Sequence, residues 1–274
     1  MSNYKMENLE GQVTVITGGA GVLCAEMAYA LGQAGSKIVL LDIGEEGMNR
    51  VSKDLAGKNV DHLAIKTDVM SKSSLEEAAR KAVEHFGRVD ILINGAGGNK
   101  PVATTSPDNL FFDIPEDAVK WVFDLNFMGT FLACQVFGKL FADQKSGNII
   151  NISSMNALTP LTRIPAYSAA KAAVSNFTQW LAVHMSHHYS PEIRVNAIAP
   201  GFLLTEQNRF LLTNKSDGSL TERGQTIIDH TPTGRFGDPA DLISTVVWLT
   251  VPASRFVHGI VVPVDGGFSA FSGV

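Results

Sequence analysis

Tyr167 and Lys171 stand four residues apart in the string Tyr-Ser-Ala-Ala-Lys. In a helix this spacing puts the phenol and the ammonium on one face, one turn apart. An unperturbed phenol titrates near ~10, and a neighbouring cation favours the phenolate and lowers that value. A tyrosine tuned in this way can shuttle a proton near neutral pH. Tyrosine and lysine meet at this spacing on many helix surfaces, so the pair gains meaning only from what shares its site. Just upstream, Ser153 and Ser154 close an apolar run. A hydroxyl there can hydrogen-bond a substrate oxygen, or simply cap the loop that follows.

Proton transfer of this kind pairs naturally with a redox cofactor, and the chain offers a place for a dinucleotide. Residues 17–24 read Thr-Gly-Gly-Ala-Gly-Val-Leu-Cys after a β-branched run. Glycines there let the backbone approach a pyrophosphate, and the helix that follows presents its N-terminal amides. Thr17, Gly18, Gly19, Gly21, Val22 and Leu23 are the candidate contacts. A glycine-rich turn alone is weak evidence, because ordinary strand-to-helix turns use glycine too. Asp42 strengthens it: about 20 residues on, at the end of the second run, its carboxylate can accept from the adenosine ribose hydroxyls and repel a 2′-phosphate. That favours NAD over NADP, although Asp42 could also cap the next helix. Two further run ends, Asp68-Val69 and Asn94-Gly95-Ala96-Gly97, fit the same crevice, since ligands of such sheets bind at the carboxyl ends of strands.

The elements that must hold these residues follow from the hydrophobic pattern. Short β-branched runs at 13–17, 37–42, 61–69, 89–97, 147–154, 193–201 and 260–267 predict seven strands. Helical periodicity fills the gaps near 22–35, 45–56, 71–86, 115–142, 165–189 and 238–250. Apolar strands alternating with helix-length crossovers predict an α/β fold: a single-domain, Rossmann-type doubly wound sheet of seven mostly parallel strands flanked by helices, spanning 1–274. Residues 202–237, polar and poorly periodic, interrupt the alternation and are expected to form a lid over the substrate.

Composition narrows the classes. The chain has 274 residues, 45% hydrophobic and 18% charged, against roughly 25% charged in an average soluble domain, so disorder is excluded. The longest apolar runs, such as 38–41, fall far short of the ~20 residues of a membrane span. No cationic stretch followed by an apolar one opens the chain, and a cytoplasmic location is expected. Net charge is −5 without a basic cluster, which argues against nucleic acid as a partner. The two cysteines, Cys24 and Cys134, form no metal-ligand pattern, and His184, His187 and His188 read as a helix end rather than a site, so no metal is expected.

Thr17-Gly18, Asp68, Asn94-Gly95-Ala96-Gly97, Asn126, Ser154, Tyr167, Lys171, Pro200-Gly201 and Thr205 together resemble the short-chain dehydrogenase/reductases, in order and over nearly the whole chain. The resemblance implies NAD(H)-dependent hydride transfer. It implies Tyr167 as acid/base, Lys171 lowering its pKa and holding ribose hydroxyls, Ser154 polarising the carbonyl, and Asn126 anchoring a proton-relay water. Ser154 is preferred to Ser153 because it precedes Tyr167 by the family's 13 residues. Pro200, Gly201, Phe202 and Thr205 then join the cofactor contacts. The chain departs from the family in two places. Val22 and Cys24 stand where the phosphate loop usually has glycines, and Gly95 stands where the family usually has a second asparagine.

Cations and amides gather in the segments expected over the nicotinamide. Lys100, Arg163 and Arg209, with Asn99, Asn156, Gln207 and Asn208, could grip a carboxylate and several hydroxyls, arginine being a planar fork matched to a carboxylate. Each alone could equally be a solvated loop residue. Of these, Asn99, Asn156, Arg163, Asn208 and Arg209 are the expected substrate contacts, with Arg163 or Arg209 on the carboxylate. Strings such as Asn-Gly-Ala-Gly-Gly-Asn-Lys-Pro and Pro-Leu-Thr-Arg-Ile-Pro-Ala-Tyr resemble the D-mannonate oxidoreductase (fructuronate reductase) branch of the family. That implies reversible reduction of the D-fructuronate ketone by NADH in hexuronate breakdown. Another sugar acid, a polyol or a 3-oxoacyl substrate would use the same catalytic residues, and a non-catalytic NAD(H) sensor is the rival of another class. Apolar residues on several sides of the helices near 115–142 and 165–189, and the tail at 268–274, fit subunit contacts, and the resemblance implies a homotetramer.

Overall fold

The computed structural model describes residues 8–206 and 208–273; Gln207 and Val274 lie outside the described residues. Seven strands, β1 (Val13–Thr17), β2 (Lys37–Asp42), β3 (His62–Lys66), β4 (Ile91–Asn94), β5 (Gly147–Ile152), β6 (Ile193–Pro200) and β7 (Val261–Val264), form one sheet. Its order is β3-β2-β1-β4-β5-β6-β7, and every pairing is parallel. β1 and β6 are buried along their whole length, as strands covered on both faces must be. β3 and β4 are shorter than their apolar windows, because the last residues of each window leave the sheet to form the turns at its carboxyl edge.

Helices α1 (Val22–Gln33) and α2 (Glu45–Gly57) cover one face, with α9 (Ile243–Thr250). They bury Met27, Leu31, Leu55 and Leu249 against Ile16, Leu40 and Ile93. The other face carries α3 (Lys72–Phe86), α5 (Gly129–Gln144) and α6 (Pro165–His188), which pack Leu75, Phe137, Phe141 and Met185 on Val15, Leu92 and Val195. Ser71 starts α3 as the pattern predicts, its hydroxyl accepting from the Ser74 amide. The apolar stretch near 115–142 is not one regular helix. α4 (Glu116–Phe123) passes through a π turn at Asp124–Met128 into α5. By length and composition residues 116–144 could cross a membrane, but half of that window is buried inside the fold, as in a core helix. The stretch after β6 is not wholly irregular either: it holds α7 (Arg209–Leu212) and α8 (Glu222–Asp229). These carry only two buried apolar side chains, Leu212 and Ile227, too few to stand out as periodicity.

Strand order reverses direction between β1 and β4, and a crevice opens there at the carboxyl ends of the strands, where such sheets bind ligands.

Candidate active site

The crevice has a volume of about 780 Å³, within the range of small-molecule sites. Gly18, Gly21, Val22 and Leu23 line it from the first turn, Asp42 from the end of β2, and Asp68 and Val69 from beyond β3. Gly95, Ala96 and Gly97 line it after β4, Tyr167 and Lys171 from α6, and Pro200, Gly201, Phe202 and Thr205 after β6. Three expected cofactor residues stand behind this wall. The Thr17 hydroxyl accepts from the amides of Gly95 and Ala96 at 3.1 and 3.3 Å, tying the first turn to the fourth. Gly19 donates its amide to Leu41 O, and a Cβ there would meet Leu40 at 3.0 Å, so its smallness serves packing on β2. Asn94 donates to Asn151 Oδ1 at 2.8 Å, and Asn151 donates to Thr178 at 2.9 Å, bracing β4, β5 and α6 behind the site.

The walls fit a dinucleotide. α1 starts with neither a capping side chain nor an acidic residue in its first turn, and Gly21, Val22 and Leu23 at its start line the crevice, so no side chain of the helix itself competes for its leading amides. Gly18 holds φ +67°, and a Cβ on it would press within 2.8 Å of the Ala96 backbone, so the first turn and the fourth can meet only because this position is glycine. Asp42 is not the helix cap: Gly44 is. Its carboxylate instead accepts from the amides of Ala20 and Gly44 at 3.0 and 2.9 Å, which aims it at the crevice with lone pairs to spare for ribose hydroxyls. Asp68 likewise accepts from the Met70 amide at 2.9 Å.

The two departures from the family motif meet each other. A Cβ added at Gly95 would lie 2.1 Å from the Cys24 sulfur. The cysteine in the phosphate loop therefore fills the space that the missing side chain at Gly95 leaves, and the thiol sits buried near Thr17 O at 3.7 Å. Burial pushes this thiol up to about 12, so it stays protonated and inert.

Ser154, Tyr167, Lys171 and Asn126 converge on the inner end. Ser153 accounts for the register of α6: its hydroxyl donates to Lys171 O at 3.1 Å and pairs with Ser175 at 2.6 Å, which leaves Ser154 facing the crevice. Ser154 also accepts from the Asn156 amide at 3.2 Å, so capping and a substrate-facing position coexist. Lys171 is buried, and its ammonium donates to Ile152 O at 2.8 Å, 5.6 Å from the Tyr167 ring centre. Asn126, fully buried in the π turn, donates to Gly98 O at 2.7 Å and accepts from the Gly98 amide at 3.2 Å. Gly97 brings the groups together: a Cβ there would meet Asn126 Oδ1 at 2.6 Å and Lys171 Nζ at 3.3 Å.

The electrostatics correct one expectation. Burial, the largest cause, raises the Tyr167 phenol above its ordinary value of 10, while the hydrogen bond from Ser154 pulls it down; the Lys171 ammonium, expected to lower it, is not among the causes. Burial also carries Lys171 down to about 8. Desolvation thus sets the direction of the phenol, while the ammonium donates to the Ile152 carbonyl. The phenol is therefore protonated at neutral pH, the form a proton donor needs.

The expected substrate contacts scatter. Asn208 lines the crevice, but both ends of its amide are used, accepting from Thr205 and donating to Leu203 O, each at 2.8 Å. Asn156 is buried with its Oδ1 unpartnered. Asn99 donates to Thr104 at 2.9 Å, away from the wall. Arg209 is held by Glu206 at 3.1 Å, whereas Arg163 is exposed beside the start of α6. Lys100 lies 4.4 Å over the Trp121 ring, and Trp121 lines the crevice. Trp121, Leu125 and Met70 were missed: in sequence they are ordinary apolar positions. His184 stacks between Trp180 and His188, at 4.7 and 4.5 Å, and no cluster able to hold a metal ion occurs among the described residues.

A family model described as short chain dehydrogenase matches residues 12–216. An uncharacterized oxidoreductase, UxuB, of Bacillus subtilis (strain 168) is 49% identical over 277 residues, 98% of each chain. A 2-dehydro-3-deoxy-D-gluconate 5-dehydrogenase of Dickeya dadantii (strain 3937) is 34% identical over 271 residues, 96% of this chain and 97% of the relative. Among solved structures, a provisionally named D-mannonate oxidoreductase from Haemophilus influenza, with NAD bound, superposes with a TM-score of 0.91 at 45% identity, covering 98% of each chain.

Proposed function

Because this chain belongs to the short-chain dehydrogenase/reductase family and is an NAD-dependent oxidoreductase, we propose that it interconverts D-fructuronate and D-mannonate in the cytoplasm. The observation that carries this reading is the convergence of Ser154, Tyr167 and Lys171 on a dinucleotide-sized crevice, in a chain whose relatives include one named for D-mannonate and one named for another sugar acid.

NADH, when bound, supplies the hydride. Gly18, Gly21, Val22 and Leu23 would hold its pyrophosphate, Asp42 the adenosine ribose, and Lys171 the other ribose. Ser154 donates a hydrogen bond to the ketone oxygen, and Tyr167 gives that oxygen its proton. Burial keeps the phenol protonated until then, so reduction at neutral pH starts from the correct form. The hydride ends on the ketone carbon, the proton on the oxygen, and the Tyr167 phenolate is reprotonated from solvent. Asn126 clamps the Gly97-Gly98 turn against which the cofactor would lie. Residues 202–237, with α7 and α8, would close over the substrate.

A panel of keto sugar acids, polyols and 3-oxoacyl compounds, with NADH consumption recorded, tests the reading. D-Fructuronate should be reduced with the highest kcat/KM, and Tyr167→Phe should bind NADH normally yet lose roughly 100-fold or more of turnover. Turnover of a polyol or an oxoacyl compound in preference to every sugar acid would overturn the substrate assignment, and no turnover at all would favour a sensor.

The same reading takes the active form as a homotetramer. Trp180 and Val183 on α6 and Tyr189 just after it are exposed, at 56%, 57% and 45%, an apolar face that a neighbouring subunit would cover. Light scattering giving the mass of a single chain would refute it.

A further inference from the structure

α8 turns one face toward the segment that joins Ser154 to Tyr167. Ile227 on that face belongs to one buried cluster with Met155, Leu212 and Phe268, against which Leu161 packs. Arg223 lies four residues before Ile227, hence on the same face one turn earlier. Gly224 fixes this setting, since a Cβ there would meet Leu212 O at 2.2 Å, and Thr221 caps the helix by accepting from the Gly224 amide at 3.0 Å.

Arg223 is half-buried, and its Nε is closed off from solvent without any hydrogen-bond partner. Burial first, and then the charge of Arg163, holds its pKa below the ordinary guanidinium value. Arg163 ends the facing segment; its carbonyl accepts from the Thr105 amide at 2.8 Å, so its backbone is pinned while its side chain stays exposed. Other arginines are occupied: Arg80, Arg88, Arg209 and Arg235 hold carboxylates, and Arg194 holds the Leu249 carbonyl. Two guanidinium charges near enough to oppose each other are unfavourable unless an anion joins them, and among the described residues neither arginine has an ion pair with a carboxylate.

We propose that Arg223 and Arg163 together form the receptor for the substrate carboxylate, one from the lid helix α8 and one from the loop four residues before Tyr167. This rests on the sugar-acid reading above and assigns Arg223, rather than Arg209, as the partner of Arg163. In D-fructuronate three hydroxylated carbons separate the carboxylate from the ketone, so an anchor beside the start of α6 delivers the ketone, not the acid end, to Ser154 and Tyr167. The clamp also explains how binding could draw α8 toward the crevice, since the anion relieves the repulsion only when both arginines reach it.

Equilibrium binding of D-mannonate to the enzyme–NADH complex tests the clamp, in the wild type and in Arg223→Gln, Arg223→Lys and Arg163→Gln. Each Gln variant should weaken D-mannonate by roughly 10- to 100-fold, Arg223→Lys should fall between Gln and wild type, and NADH affinity should be unchanged. Unchanged D-mannonate affinity in Arg223→Gln, while the wild type reduces D-fructuronate, overturns the clamp and leaves the function standing. Equal losses of NADH and D-mannonate affinity would mean a structural role and also overturn it. A wild type that binds D-mannonate through both arginines without turning over D-fructuronate would keep the clamp and overturn the function. No binding of D-mannonate by the wild type would overturn both.

Discussion

At the residue scale, Gly95 and Cys24 act as one unit although 71 positions separate them. Each was legible as a departure from a motif, but their contact was not, because spacing along a chain carries no information about which turns meet across a crevice. The pair makes a sharp prediction. Gly95→Asn should force its Cβ into the Cys24 sulfur and cost about 1–3 kcal/mol of stability, and Cys24→Gly in the same chain should recover most of it, as read from urea unfolding midpoints. Additive losses in the double variant would mean that the two positions do not share space. Tyr167 carries a similar lesson. The four-residue spacing to Lys171 was readable, yet the direction of its pKa was not, because burial and the turn of the ammonium toward Ile152 O are properties of the packed protein.

At the element scale, every strand was legible as an apolar run, but the windows for β3, β4 and β7 run three residues past the strand ends into the turns that follow. β1 and β2 match their apolar runs. The π turn at Asp124–Met128 was not legible, since its residues keep a helical apolar pattern while Asn126 turns inward to hold Gly98. α7 and α8 were missed because one buried apolar residue per short helix makes no period. Elements also meet at titratable joints. His258 accepts from the Val195 amide through Nδ1 at 3.1 Å and reaches the Ala182 carbonyl through Nε2 at 2.9 Å, joining β6 to α6. That arrangement needs a neutral ring. Burial is the main cause that holds its pKa below 6.5, with Arg194 adding to it and the Ala182 carbonyl opposing. The unfolded chain therefore binds the proton first as pH falls through 6.5, and the joint loses its contribution below that value. The urea midpoint should drop between about pH 7.5 and pH 5.5, and His258→Gln should show a shallower drop; an identical pH slope in the variant would contradict this origin.

At the scale of the whole molecule, the fold was legible because alternating short apolar runs and helix-length crossovers leave few ways to bury both faces of a parallel sheet. The crevice followed from the same topology, which places the ends of β1, β2, β4, β5 and β6 around one opening. What the pattern could not show is which polar residues of the lid are free to bind: Arg209 is taken by Glu206, while Arg223, unremarkable in sequence, has a buried Nε with no hydrogen-bond partner. The account as a whole claims a direct transfer of hydride to a sugar-acid ketone, paired with a proton from Tyr167. Turnover of D-fructuronate with NADH deuterated at each C4 position in turn, followed by mass spectrometry and NMR of the product, tests that claim most directly. One of the two labelled forms should give D-mannonate carrying a single deuterium on the former ketone carbon; product without label from either form, or no product, would contradict it.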